Sequence, residues 1–115
     1  MQGNGMSAAL VYMTAADKHE AGRIAATLLE HQLVACVNVL GTAESFFIWQ
    51  GAVQNEAETV LVAKTRAELV PQLTTAVRGA HSYECPCVVA LPIIDGDSEF
   101  IAWIHEATRN AAERP

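Results

Sequence analysis

The chain has 115 residues, 51% of them hydrophobic and 17% charged, enough apolar material for one packed core and too few residues for two. Seven basic residues face thirteen acidic ones, a formal net charge of −6, which argues against nucleic acid because phosphate backbones are bound chiefly by Lys and Arg. No apolar run approaches the roughly 20 residues of a membrane helix, and the odd set Cys36, Cys85 and Cys87, with no export signal, points to reduced thiols in the cytoplasm.

Residues 1–7 are small and polar and read as a disordered N-terminal extension, leaving 8–115 as a single domain. Residues 8–14 form a short apolar run that predicts a buried strand. Asp17 then opens a helix, with Glu20 at capping-box spacing and Ala21, Ile24, Ala25, Leu28 and Leu29 on one face. Residues 35–49 read as a long strand with a bulge near Gly41 and Thr42. Gly51 marks a turn, and the chain returns through 53–65, rich in β-branched residues towards its end. Thr65 and Glu68 repeat the capping-box spacing before a second helix with Leu69, Leu73, Ala76, Val77 and Ala80 on its apolar face. Pro71 requires that helix to start near Val70. Residues 87–93 are a fourth strand, and Asp97 or Ser98 caps a third helix carrying Ile101, Ile104 and Thr108.

The order β-α-β-β-α-β-α predicts an α+β ferredoxin-like antiparallel sandwich with an extra C-terminal helix. A compact domain of this size is roughly 35 Å across, whereas a strand of some 15 residues extends about 50 Å. The hairpin should therefore overhang its own body, carrying Phe46, Phe47, Ile48 and Trp49 in a row. A bare two-stranded ribbon with an apolar tip is marginal in water, so self-association is expected. The competing possibility is a ribbon that bends near Gly41 onto its own third helix.

His81, Glu84, Cys85 and Cys87 form the sharpest chemical cluster, since imidazole and thiolate suit copper and zinc. Against a metal site stands the Cys-Pro-Cys spacing without a distant second pair. Cys36 reads as core. His19, His31 and His105 lie on helices or their ends without ligand spacing, and Glu56 and Glu58 read as a solvated pair. No glycine-rich phosphate cradle is present and a Cys85–His81 nucleophile pair lacks a third orienting group, so catalysis is not expected.

Taken in order, Ala35-Cys36-Val37-Asn38, then Ser45, Trp49 and Gly51, Glu58 through Lys64-Thr65, His81-Ser82-Tyr83-Glu84, Pro86, Ala90-Leu91-Pro92 and Trp103-Ile104 resemble the CutA divalent-cation-tolerance family over residues 10–105. That resemblance implies a homotrimer similar to the PII signalling proteins, in which the hairpins of neighbouring subunits extend each other's sheets. It further implies a tolerance or homeostasis role linked to copper or another divalent metal ion, weakly bound, with no obligatory cofactor. It places Trp49, Lys64, Tyr83 and Glu84 near an inter-subunit cleft, where the alternative function, a PII-like signal from a small anionic ligand to a protein partner, would operate. The chain departs from the family pattern at Ser82, where Pro is common, at Phe47, where Tyr is frequent, and at Cys87, where Glu is frequent.

Overall fold

The computed structural model describes residues 7–111 as β1 (Ala8–Ala15), α1 (Lys18–Glu30), β2 (Cys36–Trp49), β3 (Ala52–Arg66), α2 (Val70–Ala80), β4 (Val88–Ile93) and α3 (Ser98–Ala107). The expectation for residues 1–6 lies outside the described residues. Ser7 is tied down, its carbonyl accepting from the amide of Ala67 at 3.0 Å. The strands form one antiparallel sheet in the order β2-β3-β1-β4. This is the expected ferredoxin-like arrangement.

Period-2 alternation sends Val11, Met13, Ala15, Leu61 and Ala63 to one face of the sheet, where they pack with Ala21, Ile24 and Leu28 of α1 and Leu73 and Val77 of α2. Leu29, expected on the buried stripe of α1, is instead exposed at its edge. Asp17 caps α1 as its sequence suggests, accepting from the Glu20 amide at 2.8 Å. Asp97 does the same for α3, accepting from the Phe100 amide at 2.9 Å.

The second capping box is not formed. Thr65 is the fully buried penultimate residue of β3, and its hydroxyl donates to the Leu33 carbonyl at 2.7 Å instead of capping a helix. Glu68 pairs with Arg66. A single 3₁₀ turn (Ala67–Leu69) leads into α2, which has no side-chain cap and carries Pro71 in its first turn, where a missing N–H costs nothing. Arg66 also fastens the C-terminal helix: Nε donates to Thr108 Oγ1 at 3.0 Å and Nη2 to the Thr108 carbonyl at 2.8 Å.

Beyond the Ala15–Thr59 pair, β3 has only β2 as a neighbour among the described residues, so residues 43–58 run on as a two-stranded ribbon and the molecule is 44 Å long but 28 by 23 Å across. The ribbon does not fold back: Phe46 and Ile48 are 67% and 74% exposed. Its turn is Gln50-Gly51 between paired Trp49 and Ala52, with both turn residues at positive φ, 51° and 82°, which matches the right-handed strand twist.

The bulge sits between Val39 and Gly41, with Leu40 as the extra residue and Gly41 at a φ of 121°. It reverses the parity of β2. Before it, Cys36 lies opposite Lys64 and Asn38 opposite Val62; after it, Ser45 lies opposite Glu56 and Phe47 opposite Gln54. Odd-numbered β2 residues therefore take over the face that even-numbered ones began.

Candidate functional site

The face of the sheet not covered by α1 and α2 continues along the ribbon and is walled at one side by the loop between α2 and β4. Together they enclose a cavity of about 620 Å³. Ser45, Phe47 and Trp49 enter it from β2, and Gln54, Glu56 and Glu58 from β3, each set at alternate positions. Tyr12 and Thr14 come from β1, and Tyr83, Glu84, Cys85 and Cys87 from the loop.

The loop is held by buried polar anchors. Glu20, 4% exposed, accepts from the Ala16 amide at 2.8 Å and the Ser82 amide at 2.7 Å. Burial alone would raise its pKa. The Ala16 amide, the hydroxyl and amide of Ser82 and the nearby His81 ring together outweigh that, so the carboxyl lies below its ordinary value. The His81 ring is wholly buried: Nδ1 accepts from the Tyr83 amide at 3.0 Å, which leaves Nε2–H to donate to the Thr14 carbonyl at 2.7 Å. Its ring also packs on Tyr83, centroids 4.6 Å apart.

Glu58 is the polar hub of the cavity. Its Oε1 accepts from Ser45 Oγ at 2.7 Å. Burial, a hydrogen bond to Glu58 and that carboxylate's charge push the Tyr83 phenol up to about 12. Burial, and then Glu58, also push the Cys87 thiol up.

These positions revise the expected site. Glu84, Cys85 and Cys87 do line one cavity, but His81 is committed elsewhere, both ring nitrogens already bonded within the chain. Among the described residues no group of three His, Cys, Asp or Glu side chains is arranged to hold a metal ion. A closed metal site with the expected ligands therefore does not fit within one copy. The cleft set divides as well. Trp49, Tyr83 and Glu84 share the cavity, whereas Lys64 lies outside its lining, its Nζ donating to Asn38 Oδ1 at 2.8 Å and sitting 6.0 Å from the Phe100 ring centroid. The anion-binding alternative thus loses its cation within the chain. The four hairpin residues split too: Phe47 and Trp49 face the cavity, Phe46 and Ile48 the opposite side.

Tyr12, Thr14, Ser45, Phe47, Gln54, Glu56 and Glu58 were missed as lining residues. Counting outwards from a two-residue Gln50-Gly51 turn pairs Ser45 with Glu56 and Phe47 with Gln54, so the period-2 signal for five of them was present in the sequence.

Residues 9–107 match the family model described as CutA1 divalent ion tolerance protein. The "Divalent-cation tolerance protein CutA" of Archaeoglobus fulgidus is 43% identical over 96 residues, covering 84% of this chain and 93% of that protein. The rice "Protein CutA 1, chloroplastic" is 38% identical over 102 residues, covering 89% of this chain, and the chain spans only 58% of its length. Among solved structures, the "Periplasmic divalent cation tolerance protein CutA" of A. fulgidus superposes with a TM-score of 0.85 at 40% identity, covering 88% of this chain and 98% of that one. Because these names place relatives in a chloroplast and a periplasm, kinship alone does not carry the cytoplasmic expectation. With sequence and fold matching over the same span, the chain belongs to the CutA1 divalent ion tolerance protein family.

Proposed function

We propose that the chain serves divalent-cation tolerance as a homotrimer rather than as an enzyme, its subunits joined through the outer face of the β2–β3 ribbon. One observation carries the assembly: Phe46, Ile48 and Val53 stand 67%, 74% and 76% exposed on the face turned away from the cavity. Large apolar side chains in such a row are an aggregation hazard unless another copy covers them. Burying each contributes about 2 kcal/mol. The trimeric, PII-like geometry is the one the family resemblance implies, and the reduced thiols suit the cytoplasm.

In this reading metal ions bind weakly, at donors contributed by more than one copy. Cys85 and Cys87 are the soft donors that favour copper, with Glu84 beside them. Cys87 must shed a proton to ligate, and its raised pKa makes that harder, so copper uptake should strengthen as the pH rises above neutrality. Anaerobic titration of the reduced protein with Cu(I) at several pH values measures this. Equal uptake by a Cys85→Ala/Cys87→Ala variant at every pH would remove the thiols from the account. The role itself is tested by deleting the gene and titrating copper, zinc and cobalt in the growth medium. Tolerance should fall for at least one metal and return with the intact gene; unchanged growth at all doses contradicts the proposal.

A further inference from the structure

The loop between α2 and β4 carries Tyr83, Glu84, Cys85 and Cys87, and the side chain that ties it to the sheet is itself titratable. His81 caps the end of α2 with its ring wholly buried. Its Nε2–H is given to the Thr14 carbonyl of β1 at 2.7 Å, and its bare Nδ1 accepts from the Tyr83 amide at 3.0 Å. A carbonyl can only accept and an amide N–H can only donate, so this pair of bonds requires the neutral ring.

An imidazolium cannot keep both. The added proton would sit on Nδ1 and face the Tyr83 N–H, with no lone pair left to receive it. Another acceptor stands close by. Glu20 Oε1 of α1 is 3.8 Å from Nδ1, just beyond hydrogen-bond reach, so a small turn of the ring closes the gap. The Glu20 carboxyl lies below its ordinary value and is still charged where histidine ordinarily titrates. The other charged groups act at one remove from the ring. Arg23 of α1 holds Glu20 Oε2 at 3.5 Å, Arg78 of α2 reaches the Glu84 carbonyl at 3.5 Å, and Glu58 of β3 bonds the Tyr83 phenol.

We propose that His81 is an acid-sensitive latch on this loop: a proton taken from solvent onto Nδ1 exchanges the bond to the Tyr83 amide for one to Glu20. Ser82 stays tethered through its amide to Glu20 Oε2 at 2.7 Å, so the loosening begins at Tyr83 and extends to the segment bearing Glu84, Cys85 and Cys87. These contacts all lie within one copy and hold whatever surfaces its neighbours cover. The latch therefore goes beyond the tolerance reading and does not depend on it.

Nitrogen-15 NMR of the full-length protein between pH 7.5 and 5 tests the latch, following the His81 ring nitrogens and the exchange protection of backbone amides together. At pH 7.5 the ring should be neutral with its proton on Nε2. As the second proton arrives, the protection factor of the Tyr83 amide should fall about tenfold, the factor expected from losing one hydrogen bond, while amides within α2 keep theirs. Glu20→Gln removes the charge that receives the proton and should move the midpoint to about tenfold higher proton concentration. A ring that stays neutral down to pH 5 would overturn the proposal, as would a ring that protonates while the Tyr83 amide stays protected. The unaltered protein alone separates these outcomes if the variant fails to fold. An unchanged midpoint in a folded Glu20→Gln variant would overturn the exchange with Glu20.

Discussion

Phe46, Phe47, Ile48 and Trp49 follow one another along a single strand, yet the two faces of the ribbon give them different surroundings. Phe47 and Trp49 look across a concave surface at Gln54, Glu56 and Glu58 and are 37% and 43% exposed. Phe46 and Ile48 look outwards beside Val53, with far more of their surface bare. The first face has the mixed apolar and charged character of a ligand site; the second has the greasy character of a subunit contact. What assigns residues to faces is the pairing with β3 counted out from the Gln50-Gly51 turn, and the extra residue at Leu40 lets that pairing join the one that starts at Cys36. A ribbon paired one residue out of this register would put Phe46 and Ile48 in the cavity and Phe47 and Trp49 outside.

Placing charge on the outer face is the most severe way to break the comparison. Ile48→Asp/Val53→Asp, at a directly paired position, should take two apolar side chains from the subunit contact, a loss of about 4 kcal/mol per copy. Sedimentation should show dissociated or aggregated material. A variant that assembles and melts like the parent would mean the outer face is not the contact.

The anchors beneath the cavity come next. Glu20→Ala leaves the part-buried amides of Ala16 and Ser82 without their acceptor and should cost about 2 kcal/mol in chemical unfolding. The pH dependence follows from the direction of the shift. A carboxyl held below its ordinary value in the folded protein contributes stability that is complete above the ordinary range near 4.5. That contribution fades as the pH falls through the lower folded value. Stability measured through this acid range should fall less steeply for Glu20→Gln than for the parent, and an identical slope in both would remove Glu20 as the acid-sensitive anchor.

A smaller effect is expected at Thr65→Val, which orphans the Leu33 carbonyl while keeping the shape of the side chain. About 1.5 kcal/mol of stability should go, with the ribbon and its assembly untouched.

The same residues show how far the fold and the site could be read beforehand. Asp17 and Glu20 announced α1 correctly because cap and helix are local in sequence, and the bulge near Gly41 was visible as a glycine interrupting a strand. Thr65 and Glu68 carried the same spacing and misled, because a partner 32 residues away claims the Thr65 hydroxyl. His81 misled for a similar reason. A histidine next to Glu84, Cys85 and Cys87 suggests a ligand, but its two ring nitrogens are spent on Thr14 and Tyr83, one of them 67 residues distant. Glu56 and Glu58 read as a solvated pair until the strand pairing set them opposite Ser45 and Ala43 on the cavity side. Local chemistry was legible, then, and the errors lie where tertiary pairing decides which partner a polar atom meets.

The division of the ribbon into two faces is tested most directly by native mass spectrometry at low micromolar concentration, with the parent beside two double variants, Phe46→Ser/Ile48→Ser and Phe47→Ser/Trp49→Ser. Assembly through the outer face requires a trimeric parent, a monomeric or unstable first variant and a second variant that stays trimeric. A monomeric parent, or a second variant that dissociates as readily as the first, would contradict it.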